Sequence, residues 1–146
     1  MLKRLPKELV LDYSTWICGV PVNDNYTSKN SKGKGKTRLL NYEGEMCCLG
    51  QFALQSGVKR EDILDLAEPS EINEQIYGLG TIVSGARFID NSKFSIKAMV
   101  INDDKKTTIA EKVKALKRLC GHFKRKLTLK NFPKSILEEV NRRGKN

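Results

Sequence analysis

Thr108-Ile109-Ala110-Glu111 opens the segment that most narrows what this chain can fold into. That order matches a capping box, in which a threonine hydroxyl and a glutamate carboxylate each satisfy an N–H that a helix start leaves unpaired. Ile109, Val113, Leu116, Cys120 and Phe123 then recur at spacings of 4, 3, 4 and 3, which places them on one apolar stripe. Lys112, Lys114, Lys117 and Arg118 lie on the other face. A helix over 107–121 with one apolar face needs a second layer to cover it, so the rest of the chain must supply that layer.

A second helix is expected over 47–56. Cys48, Leu49, Phe52 and Ala53 share a face, and Gly57 follows as a C-terminal cap. Cys47, Gln51, Leu54 and Gln55 fall to the side, a placement that makes Cys47 the more accessible thiol. Leu9, Val10, Tyr13, Trp16 and Ile17 have helical spacing and predict a first helix ending at Gly19. Residues 20–36 read as a mobile basic loop. Thr37 to Tyr42 reads as a strand, turning at Glu43-Gly44-Glu45 into a hairpin. A short helix is expected over Arg60 to Leu66. Thr81-Ile82-Val83 and Phe94 to Ile101 read as strand-like, the second with a helical alternative. Lys126-Leu127-Thr128-Leu129-Lys130 alternates as a half-solvated strand, and Asn131-Phe132-Pro133 opens a last helix with Ile136, Leu137 and Val140 inward. Residues 142–146 form a frayed basic tail. The pattern predicts one α+β domain over 1–146, with a mixed or antiparallel sheet and three to five helices.

The chain has 146 residues and a formal net charge of +10. A field of that sign attracts polyanions and acidic proteins. No apolar run approaches the ~20 residues that cross a bilayer. Basic residues at the start have no apolar segment behind them, so no signal peptide is expected. The expected compartment is the reducing cytoplasm, where the four cysteines are thiols.

The junction Met46-Cys47-Cys48-Leu49-Gly50 is where chemistry is expected. A helix N-terminus offers unpaired N–H groups and a partial positive charge, which lower a thiol pKa or hold an anion. Upstream, Ser31-Lys32-Gly33-Lys34-Gly35-Lys36 is a basic glycine stretch. It fails as a P-loop, because position 30 is asparagine and no strand-to-helix unit surrounds it. Zinc is not expected: Cys18, Cys47, Cys48 and Cys120 lack paired spacing, and His122 is the sole histidine. No cofactor is called for. A thiol nucleophile would need Cys47 or Cys48 with His122 as base and Asn102 or Asp103 to orient it. Asn102-Asp103-Asp104 otherwise serves as turn and cap.

Trp16-Ile17, the Gly-Lys-Gly segment, Cys47-Cys48-Leu49-Gly50 and the later Asn102-Asp103 together resemble a group of small tailed-phage and prophage proteins. In that group a Trp-Ile opening leads to an aromatic residue followed by Cys-Cys-Leu-Gly, and a downstream Asn-Asp precedes a helix. This chain departs from it at Met46, at Gln51 and in a longer polar stretch after Gly19. The resemblance implies a phage setting inside a bacterial host, where small proteins often block host defence. The first expectation is therefore a non-enzymatic phage accessory protein for counter-defence. It would bind an anionic small molecule, such as a nucleotide-derived signal, or an acidic host protein, at Lys32, Lys34, Lys36, Cys47, Asn102 and Asp103. A second reading is nucleic-acid binding through Lys112, Lys114, Lys117 and Arg118, joined by Lys105, Lys106, Lys124 and Arg125. A third is a thiol-dependent hydrolase built on Cys47, Cys48 and His122.

Overall fold

The computed structural model describes residues 6–19, 38–66 and 90–142, with side chains in the last stretch from residue 94 onward. Lys32, Lys34, Lys36, the 20–36 loop, the Thr81-Val83 segment and the tail beyond 142 lie outside the described residues. Four α-helices and two strands are described: β1 (Glu8–Asp12), α1 (Cys48–Gln55), α2 (Asp90–Asp103), α3 (Ile109–His122), β2 (Lys126–Lys130) and α4 (Lys134–Asn141). They form one small α+β domain.

Glu8 to Asp12 is a strand, not the start of a helix. Leu9 and Leu11 are fully buried while Glu8, Val10 and Asp12 face outward, a period of two that competes with the helical spacing of Leu9, Val10 and Tyr13. Asp12 ends the strand: its Oδ1 accepts from the Ser14 N–H at 3.0 Å and from the Ser14 hydroxyl at 2.7 Å. β1 pairs with β2 in parallel, Glu8 opposite Lys126 and Asp12 opposite Lys130. The expected mixed or antiparallel pairing is therefore replaced by a parallel one among the described residues. The two strands lie at opposite ends of the chain, and the helices between them make the crossover that parallel strands require.

The other edge of β1 is closed by α1. Gln51 Oε1 accepts from Asp12 N–H at 2.7 Å, and its Nε2 donates to Asp12 C=O at 3.0 Å. Gln55 does the same for Val10, at 2.8 and 2.7 Å. The match is geometric. Four helical residues rise about 6 Å, and two strand residues about 6.6 Å. Two glutamines one turn apart therefore act as a surrogate neighbouring strand and blunt an edge that would otherwise template aggregation.

α1 itself runs as the sequence predicts, with Gly57 at φ 99° after its end. Phe94 to Ile101 belongs to α2. Phe94, Ser95, Ala98 and Asn102 are buried at helical spacing, whereas the β-branched Ile96 and Val100, which suggest a strand, are exposed. The expected strand from Thr37 and its hairpin shrink to isolated bridges, Leu40 with Leu64 and Trp16 with Met46. The turn survives: Asn41 Oδ1 accepts from the N–H groups of Glu43 and Glu45, and Gly44 takes φ 84°. Arg60–Asp62 is a single 3₁₀ turn, shorter than the expected helix. α3 carries the capping box, with Glu111 N–H donating to Thr108 Oγ1 at 3.1 Å and Thr108 N–H to Glu111 Oε1 at 2.9 Å. α4 buries Ile136 and Val140, as its spacing predicts.

Replacing Gln51 with leucine leaves the Asp12 N–H and C=O without partners in a part-buried position. The Gln51→Leu chain should lose about 1–3 kcal/mol in urea denaturation. Gln55→Leu should lose less, because water reaches Val10 there.

Candidate functional site

The residues singled out in the sequence divide into an interior group and a surface group. At the centre of the first is Asn102, in the last turn of α2 and 1% exposed. Its Oδ1 accepts from Trp16 Nε1–H at 2.7 Å and from Cys48 N–H at 3.0 Å. Its Nδ2 donates to Ile17 C=O at 3.1 Å and to Asp103 Oδ1 at 3.0 Å, and its own carbonyl accepts from Gly19 N–H at 2.9 Å. The Trp-Ile, Cys-Cys-Leu-Gly and Asn-Asp segments are thus one hydrogen-bonded knot.

The start of α1 is closed by the same knot. Cys47 N–H donates to Arg38 C=O at 2.9 Å, and Cys48 N–H is taken by Asn102. Gly50 lies under the Leu39 carbonyl so tightly that an added Cβ would sit 1.7 Å from that oxygen. Only glycine allows α1 to approach here, which explains the last residue of Cys-Cys-Leu-Gly. Gly19 is held likewise against the Asp103 carbonyl.

Cys47 is not the accessible thiol that the helix geometry suggests: it is 5% exposed, and Cys48 is fully buried. Burial pushes the Cys47 thiol up to about 12, although the N–H groups of Gly50 and Leu49 pull it the other way. Desolvation outweighs the helix N-terminus. Burial also raises Cys48 well above its ordinary value, with the nearby thiols and Asp103 adding to the shift. The Cys48 thiol points at Ala98 C=O, 3.8 Å away. His122 lies at the exposed end of α3 with its ring edge-on to Phe123, and among the described residues it makes no hydrogen bond to a thiol. The structure does not assemble Cys47, Cys48 and His122 as nucleophile and base. Among the described residues no group of three His, Cys, Asp or Glu side chains is placed to hold a metal ion.

On the surface, Lys112 departs from the basic face on which its spacing places it. It is fully buried, its Nζ donating to the Asp104 carbonyl and to Thr107 Oγ1, the latter at 2.6 Å. Burial lowers its pKa, opposed by the nearby carboxylates. Lys112 therefore ties the 104–107 loop to α3. Lys117 and Arg118 are exposed and Lys114 half-buried on the outer face of α3, with exposed Lys124 just past its end. Among the described residues none of these four is paired with a carboxylate. Lys126 and Lys130, by contrast, stand opposite Glu8 and Asp12 across the sheet. Arg125 folds back onto the carbonyls of Phe123 and Lys124. The signal for this surface is present in the sequence: residues 112–134 hold nine Lys or Arg and no Asp or Glu.

No protein-family model matches this chain, and no curated protein and no solved structure matches it either. Among the described residues no helix is long and apolar enough to cross a membrane.

Two outcomes follow from the interior group. Asn102→Leu leaves a buried indole N–H, a helix N–H and a carbonyl without partners, and should lower stability by about 3 kcal/mol in chemical denaturation. The thiols set an alkaline limit. The folded-state pKa values of Cys47, Cys48 and Cys120 lie above the ordinary 9.0, so their stabilisation is complete below that pH and is lost as pH rises towards 12. Lys112 acts in the opposite direction, because its pKa is lowered. Melting temperature should fall across this window, less steeply in Cys47→Ala, and a thiol reagent should find all four cysteines protected until the chain unfolds.

Proposed function

We propose that this protein works by binding nucleic acid, without catalysis, through the outer face of α3 and the turn that follows it. One observation supports the reading: Lys114, Lys117 and Arg118 lie on the outer face of α3 with exposed Lys124 just past its end, and none of the four is ion-paired with a carboxylate among the described residues. Phosphate binding by such a surface releases counterions, and affinity then depends steeply on salt.

The small-ligand reading at the start of α1 is not carried forward, because the N–H groups and the Asn102 amide it relies on already have partners inside the chain. Thiol hydrolysis is set aside because burial keeps the cysteines protonated. The phage setting, counter-defence and the host cytoplasm come from the sequence resemblance and are proposed as the context in which the protein meets nucleic acid.

Binding of fluorescent DNA and RNA, followed by anisotropy over a salt series, tests the reading. Affinity should fall linearly on a log–log plot, and Lys117→Ala with Arg118→Ala should reduce the slope by about 2. Binding that ignores salt and both substitutions would refute it.

A further inference from the structure

Gly121 sits in the last turn of α3, where nothing in the fold requires a glycine. Its φ is not in the left-handed region, and a Cβ added there meets no atom within 4 Å. The contrast with Gly50 and Gly19, where a Cβ would collide with backbone, is complete. Glycine inside a helix is less favourable than alanine, because it gives up more chain freedom on folding. Position 121 therefore gives up stability for no gain inside the molecule.

Three residues later the reverse occurs. α3 ends in a Schellman arrangement: Arg125 N–H donates to Cys120 C=O at 2.7 Å, and Lys124 N–H to Gly121 C=O at 2.9 Å. The left-handed residue of that motif is Lys124, at φ 59°. Glycine is the residue this position favours, since a side chain there crowds the following carbonyl. Glycine stands where alanine would be more stable, and lysine stands where glycine would be. Both departures fall on the one exposed end of the basic face. Local rules broken together at one exposed place mark a site whose residues are chosen for something other than folding.

Gly121 lies three and four residues after Arg118 and Lys117, so it shares their face of the helix. It exposes bare helix backbone beside those two cations, with exposed Lys124 three residues further along the chain. A partner can reach van der Waals distance of the helix there, with guanidinium and ammonium groups close by. The partner's chemistry follows from what surrounds the bare patch. Stable protein interfaces centre on apolar or aromatic anchors. The exposed large hydrophobics of the described residues are Tyr42, Leu64, Ile96 and Val100, none of them on α3. Single strands bind by stacking on aromatic rings. Here the nearby rings, His122 and Phe123, are set edge to face against each other at 5.4 Å. A duplex can meet such a surface through its sugar–phosphate backbone, with no stacking required.

We infer that Gly121 is the point of closest approach of a double-stranded nucleic acid backbone, held by Lys117 and Arg118 on the same helix face and by Lys124 just beyond it. The inference rests on the nucleic-acid reading above and specifies its form.

Gly121→Ala tests it, because stability and function should move in opposite directions. Thermal melting of Gly121→Ala should rise, and its affinity for duplex should fall at least about threefold. Gly121→Gln should bind more weakly again. Lys124→Gly should also melt higher while its salt slope drops by about 1. Duplex DNA, duplex RNA and single strands are compared, and the duplex that shows the loss names the partner. Unchanged duplex affinity in a more stable Gly121→Ala overturns the inference and leaves the basic-face reading standing. Equal or tighter binding of single strands overturns the duplex assignment. Failure of the unaltered protein to bind any nucleic acid overturns both.

Discussion

Asn102 carries an amide into an interior where every polar atom must find a partner, and the partners it finds come from two distant parts of the chain. Its oxygen holds the Trp16 indole and the first N–H of α1; its nitrogen holds the Ile17 carbonyl. Trp16 is fully buried, so its N–H has no recourse to water. An unmet hydrogen bond at such depth is far more damaging than a met one is helpful. The position of α1 against α2, and of the Trp16 segment against both, follows from this one group. Gly50 and Gly19 permit the close backbone contacts that the arrangement then demands.

With α1 fixed, its two glutamines reach β1 in register and β1 becomes the interior strand of a very small sheet, with β2 on one side and side-chain amides on the other. The same placement decides the chemistry of the thiols. A helix N-terminus favours a thiolate, but its pull is modest and local, whereas taking a charge out of water costs far more. Cys47 lies at a helix start and remains a thiol because desolvation is the stronger of the two. The knot that resembles a ligand site in sequence is a structural joint.

The proposed function then lies on the surface. Charge alone does not make a site, and this chain has positive charge in many places. The outer face of α3 gathers Lys114, Lys117 and Arg118, with exposed Lys124 just past its end, and none of the four is ion-paired with a carboxylate among the described residues, while Lys126 and Lys130 of β2 stand opposite Glu8 and Asp12 across the sheet. Lys112 shows the converse: a basic residue on the same helix can serve only to hold a loop.

Elements with local signals are legible in the bare chain. The capping box and stripe of α3, α1 with Gly57 after it, the alternation of β2 and the Ile136–Val140 face of α4 all follow from contacts within a few residues, so spacing suffices to read them. Leu9 to Ile17 misleads, because two periods overlap there and only the pairing with residues 126–130 selects the strand. Phe94 to Ile101 is ambiguous for the same reason, its branched residues lying on the exposed side. The burial of Cys47, the saturation of Asn102, the internal role of Lys112 and the freedom of Gly121 emerge only once the chain is packed. Each depends on what residues far away in the chain leave open or occupied, and desolvation and hydrogen-bond saturation have no signature in the spacing of a sequence.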